Sequence, residues 1–298
     1  MKKIAVIGSV LMDLKGYPLG KYESGGRNAG RIVEKPGGVA CNVCWDLSVA
    51  GVLPVFVTVL EDTAAGYMIV EQLTKVGTDL SHSIIGTGGI GKWLAVFDET
   101  GEVVASVSQR PDLSGLIEVL VQDGRNILAE CDGIAVALDI DRRVLDVLFA
   151  LAKELSVPVY GMVSNMTIAL RHKDLIAQTS CFVCNRNEAE QLFANEYMYM
   201  HGRALAEYVR SQTERFGIDR IVVTDGAQGA VYCDCGYIGE IACEHVKVVD
   251  TTGCGDAFFA GTTAGLVQGM SLADACRLGA HMAALTIGSQ DNVCPVNV

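Results

Sequence analysis

Short, near-continuous apolar runs recur along this chain, each followed by a stretch with helical periodicity. That alternation restricts the fold more than any other feature. "KKIAVIG" reads as a strand and Gly38 to Ala50 as a helix; "LPVFVTVL" is a strand, and Asp62 then caps a helix through Lys75. "DGIAVALD" precedes a helix from Arg142 to Leu155, and "VPVYGMV" is the next strand. "CFVCN" leads into a helix in "RNEAEQLFA", a longer helix spans Gly202 to Phe216, and "DRIVVTD" is a further strand. Helices from Gly255 to Gln268 and from Leu272 to Ile287 close the chain. Strands without polar alternation need cover on both faces, so the pattern predicts an α/β fold with a mostly parallel central sheet between helices.

The size fits one such domain over residues 1–298, half of them hydrophobic. A formal net charge of −12 argues against a nucleic-acid surface, which needs clustered Lys and Arg. It does not exclude a nucleotide, because backbone N–H groups and a metal ion can hold phosphates locally. No apolar stretch reaches the roughly 18 residues of a membrane span. The N-terminal run to Met12 is broken by Asp13 without a small-residue cleavage site, so it reads as a strand rather than a signal peptide. Eleven scattered cysteines point to reduced thiols and a cytoplasmic location. The C-x-x-C pairs Cys41/Cys44 and Cys181/Cys184 lack turn glycines and a nearby His, and read as buried apolar residues.

Two segments interrupt the alternation. Residues 12–36 are polar and glycine-rich, and residues 86–110 contain "KWLAVFDETGEVVASVS", two period-two runs around the turn Asp98–Gly101. Together they predict a small β lid inserted in the domain.

Two nucleotide motifs fail on inspection. "GTGGIGKW" ends in Trp93 where a phosphate-binding loop needs a Mg²⁺-holding hydroxyl, and a strand pattern follows it where that loop opens a helix. "VIGSVLMDL" after the first strand lacks the dinucleotide-binding glycines. "VDTTGCGDAF" is different. Gly253 and Gly255 allow a tight turn, and the amides of residues 253–256 then point out of a helix N-terminus as an anion hole. Asp256 has two readings there, an ordinary helix cap or a general base beside developing phosphoryl charge.

"DTTGCGDAFFAG" resembles the C-terminal signature of the PfkB-type (ribokinase-like) carbohydrate and nucleoside kinases, with Cys254 where their usual form has Ala. Four more segments, in the family's order, extend the resemblance over essentially the whole chain: "GSVLMDLKG", "PGGVACN", "NRNE" and "VTDGAQGA". The resemblance implies an ATP-dependent kinase with a ribokinase-like fold, phosphorylating a hydroxymethyl group of a sugar or nucleoside. Asp256 is the implied base, with the Gly253, Cys254 and Gly255 amides as the anion hole. Asp13, Gly37, Gly38 and Asn42 are the implied substrate-binding residues. Asn185 and Glu188 order the waters of a Mg²⁺; Thr224, Gly226 and Gly229 line the ATP site. Asp250 and Thr252, with carbonyls after Ile287, would hold a monovalent cation such as K⁺. A homodimer through exposed lid strands is also implied.

Each position keeps a plainer reading: Asp13 as a turn residue, Gly37-Gly38 as a helix entry, Glu188 as a first-turn acid, Asp250 as a brace and Gly226 and Gly229 as a hairpin turn. "NAGRIVEKPGGVACN" and "ALTIGSQDN" resemble pseudouridine kinases most, which implies conversion of pseudouridine to pseudouridine 5′-phosphate. A ribokinase- or fructokinase-type activity and a catalytically silent sugar or nucleoside binder are the alternatives. On the lid hairpin, Lys92, Leu94 and Ser108 are candidates to meet a base or sugar. One departure is that Gly161 and Met162 stand where relatives often carry an acid.

Overall fold

A computed structural model describes residues 1–194 and 199–296; the rest of the predicted 1–298 domain lies outside the described residues. Along the chain run β1 (Lys3–Ile7), β2 (Val10–Pro18), β3 (Gly30–Gly37), α1 (Val39–Val49), β4 (Leu53–Val57), β5 (Val59–Leu60), α2 (Ala64–Lys75) and β6 (Ile84–Ile85). Then come β7 (Ile90–Phe97), β8 (Val103–Gln109), α3 (Leu116–Gln122), α4 (Gly124–Ala129), β9 (Gly133–Ala137), α5 (Arg142–Leu155), β10 (Val159–Met162), α6 (Met166–Ala169) and α7 (Lys173–Ile176). The remainder is β11 (Cys181–Asn185), α8 (Arg186–Phe193), α9 (Gly202–Phe216), β12 (Arg220–Thr224), β13 (Ala230–Asp234), β14 (Tyr237–Ile241), α10 (Cys254–Val267) and α11 (Leu272–Ile287).

Eight strands form the central sheet in the order β14-β13-β12-β11-β10-β9-β1-β4. It is parallel from β4 to β12, and β13 and β14 add antiparallel strands at one edge. The parallel strands are apolar because helices cover both faces: every residue of β9, "GIAVA", is buried. Helix α5 buries Val144, Leu145, Leu148, Phe149 and Ala152 along one stripe, and Asp141 caps it by accepting from the Arg143 amide. Helix α10 is apolar all round and lies deep in the fold. Its Gly261 meets Gly279 of α11 so closely that a Cβ there would stand 2.8 Å from the Gly279 Cα. The two helices thus pack backbone to backbone, which gives α10 a rigid seat.

A second sheet, in the order β3-β2-β7-β8, holds the two interrupting segments, with β2 and β7 parallel and β7–β8 the expected hairpin. Two local expectations are corrected, and one element is added. Thr63, not Asp62, caps α2 by accepting from the Gly66 amide, while Asp62 accepts from the Tyr67 hydroxyl. "LPVFVTVL" divides at Thr58, whose hydroxyl donates to the Gly8 carbonyl at 2.8 Å; β4 stays in the main sheet and β5 pairs with β6. The β13–β14 hairpin turns at Cys235 and Gly236, both at positive φ, a two-residue connection that the sequence reading passed over. Among the described residues no helix is long and apolar enough to cross a membrane.

Candidate active site

A cleft of about 1010 Å³ opens at the carboxyl ends of β1, β9 and β10, between the two sheets. Ligands of parallel α/β sheets bind at that end, where strands hand over to loops and helix N-termini. Seven residues singled out from the sequence line it together: Asp13, Gly38, Asn42, Ser108, Thr252, Gly253 and Asp256.

Gly253 is the N-cap of α10 at φ +80, and no side chain caps the helix. The first-turn amides therefore point out of the helix end with the positive pole of its dipole behind them. A Cβ on Gly253 would stand 1.9 Å from the Asn292 carbonyl oxygen, so glycine is required both by φ and by that contact. Asp256, three residues into the helix, is not the cap. Its carboxylate reaches across to α1 and accepts from Asn42 Nδ2 at 2.7 Å. Burial pushes the Asp256 carboxyl up to about 7; the Asn42 donor partly offsets this, and nearby Asp13 and Glu188 add to the rise. A group poised near neutrality can take a proton at physiological pH. Cys254 contributes backbone to the same turn, and burial followed by the Asp256 charge raises its thiol.

Opposite stands Asp13 of β2. Its carboxyl is buried and pushed up to about 6, chiefly by desolvation, with Lys15 pulling the other way. Gly37 of β3 makes room for it: a Cβ on Gly37 would sit 2.5 Å from Asp13 Oδ2. Gly38 enters α1 at φ +91, where a side chain would strike Leu11 and the Ser9 carbonyl. The Gly-Gly pair therefore lets an acid and a helix end approach one another. Trp93 of β7 and Ser108 of β8, paired in register, both line the cleft; Lys92 and Leu94, one residue to either side of Trp93, do not.

The remaining predicted positions form a neighbouring group. Asn185 and Thr224 pair at the ends of β11 and β12, with Gly226 and Gly229 in the turn that follows. Gly229, at φ +87, has no room for a side chain against the Ile241 carbonyl, while Gly226, at φ +55, faces open space. Asn185 and Glu188 make a reciprocal capping box on α8: Glu188 N donates to Asn185 Oδ1 at 2.9 Å, and Asn185 N to Glu188 Oε2 at 2.8 Å. Burial pushes Glu188 up to about 7, and the Asp139 charge adds to the rise against the Asn185 hydrogen bonds. Neither residue lines the cleft itself. Asp250 Oδ1 accepts from the Thr252 amide at 2.8 Å, and its Oδ2 faces the Lys15 ammonium at 4.0 Å.

Several cleft residues carry no sequence motif and escaped the sequence reading. Asp139, buried after β9, accepts from Ser164 Oγ at 2.6 Å and from Arg110 Nη2 at 3.3 Å; Arg110 also donates to the Asp139 carbonyl. This cluster joins the end of β8 to the loops after β9 and β10. His172 is buried with Nδ1 2.9 Å from the Leu138 carbonyl. A carbonyl only accepts, so that nitrogen carries a proton and Nε2 is left for another partner. Gly161 and Met162 are buried core residues; a Cβ on Gly161 would meet Leu138 and Thr179.

A family model described as pfkB family carbohydrate kinase matches residues 1–294. Guanosine-inosine kinase of Exiguobacterium acetylicum is 32% identical over 295 residues, covering 98% of this chain and 96% of the relative. Pseudouridine kinase of Escherichia coli (strain K12) is 25% identical over 297 residues, covering 96% and 91%. Arabidopsis thaliana ribokinase, solved with ribose and ATP, superposes with a TM-score of 0.84 at 19% identity, covering 99% of this chain and 97% of that one, a likeness of fold.

Proposed function

We propose, on the premise that this chain belongs to the pfkB family of carbohydrate kinases, that it phosphorylates the 5′-hydroxyl of a nucleoside. The observation that carries the reading is the Asp256 carboxylate, held by Asn42 at 2.7 Å beside the uncapped N-terminus of α10. As the hydroxyl oxygen attacks the γ-phosphorus of ATP, its proton passes to Asp256, the bond to the β-phosphate oxygen breaks, and ADP leaves. The amides of the α10 turn offset the charge on the transferring group. Asp13 accepts the sugar hydroxyls.

Among the described residues no three carboxylate, imidazole or thiol groups converge to cage a metal directly. A Mg²⁺ would therefore keep most of its waters, with Asn185 and Glu188 as outer partners, and it would neutralise phosphate charge when bound. The capping box leaves Glu188 Oε1 available for this. Potassium fits less well. Both Asp250 oxygens already face a donor, one of them the Lys15 ammonium. Rates in potassium chloride and in tetramethylammonium chloride are therefore expected to agree, and a large potassium stimulation would overturn that.

The cleft runs from Asp13 past Asp139 to Arg171, which gives a base room beside the ribose. Together with the 32% relative, this favours a 6-oxopurine nucleoside such as guanosine or inosine. Pseudouridine is the second reading, favoured by the motif "NAGRIVEKPGGVACN" and the 25% relative. ADP release should be measured with guanosine, inosine, adenosine, pseudouridine, ribose and fructose, for wild type and Asp256→Asn. Guanosine or inosine should give the highest kcat/KM, and Asp256→Asn should lose roughly 10²- to 10⁴-fold in kcat. A preference for pseudouridine would replace the substrate, and near wild-type turnover by Asp256→Asn would remove the base. We also propose a homodimer, supported by the exposed strand β8 and the apolar side chains around it.

A further inference from the structure

The base is held in place from a segment outside any helix or strand. Asn292, in the loop after α11, is 7% exposed, and Asn42 is 5% exposed. Asn292 Nδ2 lies 3.4 Å from the Pro36 carbonyl and 3.3 Å from Asn42 Oδ1, and Asn42 Nδ2 lies 2.7 Å from Asp256 Oδ2. The direction of this chain is fixed at its start. The Pro36 carbonyl can only accept, so Asn292 must turn its NH₂ toward it. The second hydrogen of that NH₂ then meets Asn42, which must present its oxygen. Asn42 in turn has only its NH₂ to offer Asp256.

Two further contacts fix Asn292 itself. Its carbonyl oxygen presses on Gly253, where even a Cβ would stand 1.9 Å away. Two residues on, Cys294 is clamped by α1: its N–H donates to Asp46 Oδ1 at 2.7 Å, and its carbonyl accepts from Trp45 Nε1 at 2.9 Å. The loop is thus tied to the helix that carries Asn42 and to the turn that opens α10.

We infer that Asn292 is a positioning residue for phosphoryl transfer: through Asn42 it dictates that Asp256 faces a hydrogen-bond donor and so sets the pH at which the base becomes available. The inference rests on Asp256 being the base. Asn292→Asp keeps the shape and, once ionised, offers no donor. Asn42 would then turn its NH₂ toward the new carboxylate and its oxygen toward Asp256. Asp256 already faces Asp13 of β2, Glu188 of α8, Cys41 and Asp46 of α1 and the Cys254 thiol of its own helix. Without a donor and with an added negative charge nearby, it holds its proton more tightly.

The acid limb of kcat/KM should therefore move to higher pH by about one unit, an approximately tenfold loss below the limb. Activity should return to within about threefold of wild type well above the limb, where the base is ionised in both proteins. Asn292→Ala removes the donors without adding charge, and its limb should move the same way by a smaller amount. It carries the test if the Asp variant does not fold. A folded variant whose limb coincides with that of wild type, with or without a lower melting temperature, means that Asn292 is only structural and overturns the inference. Asp256→Asn run alongside separates the two readings. If it keeps turnover, the base assignment falls; if it is inactive while the Asn292 limbs stay put, only the relay falls.

Discussion

Asp13, Asp256 and Glu188 are each pushed above the ordinary carboxylate range by burial first, and Asp256 further by its two neighbours. Such a group binds its proton more tightly in the folded chain than in the unfolded one. For Asp256 the shift runs from 3.8 to about 7. Its contribution to stability is therefore fully present below about pH 4 and lost as pH rises through 7. Asp256→Asn, which cannot ionise, should melt higher than wild type at pH 8, with the gain shrinking toward pH 4; thermal unfolding across that range checks it. An equal melting temperature at pH 8 would mean that the carboxylate is solvated rather than buried. Ten residues of local sequence left this acid as either cap or base. What excludes the cap is Asn42, 214 positions away, and no local pattern carries that contact. Asp139 and Ser164 were illegible for the same reason, since each stands in a loop without a motif and gains meaning from the other and from Arg110.

At the scale of elements, glycine sets how closely strands and helices approach. Gly37 leaves space for the Asp13 carboxylate on the neighbouring strand, and a methyl group there would stand 2.5 Å from its oxygen. Gly37→Ala should displace Asp13 and raise KM for the nucleoside about tenfold or more, while KM for ATP changes little. Initial rates with each substrate varied in turn decide it, and equal effects on both would place the damage elsewhere. The long helices were legible because amphipathic periodicity and caps agree, as in α5 and α9, whose bounds match the sequence reading. The β13–β14 hairpin and the short helices α3, α4, α6 and α7 were not. Pieces of four to seven residues hold too few turns for a period to stand out, and an edge hairpin is only half-buried.

The two larger sheets meet at the cleft, and the smaller of them is unevenly protected. All of β8 is exposed, with its own Val107 at 68%, and on β3, the opposite edge of the same sheet, Ile32 is 70% exposed. An open strand edge with apolar neighbours is a template for pairing, and a second copy of the chain would cover it. Sedimentation of wild type should give a dimer, and Ile32→Glu with Val107→Lys should give a folded monomer; a monomeric wild type ends the proposal. The central sheet was legible from its apolar runs, but the order in which they pair was not. β1 lies between β9 and β4, and that order depends on how helices cross the faces rather than on any single segment.

The amide chain from Pro36 through Asn292 and Asn42 to Asp256 also bears on how the fold closes. It ties residues 36 and 42 to residues 256 and 292, segments more than 200 positions apart. A chain folded only as far as β14 has its acid at Asp13 and its glycine turn, but neither Asp256 nor the loop that holds Asn42. The contact between Asp256 and Asn42 is therefore a long-range closure, expected to form late in folding, after the local strand and helix contacts.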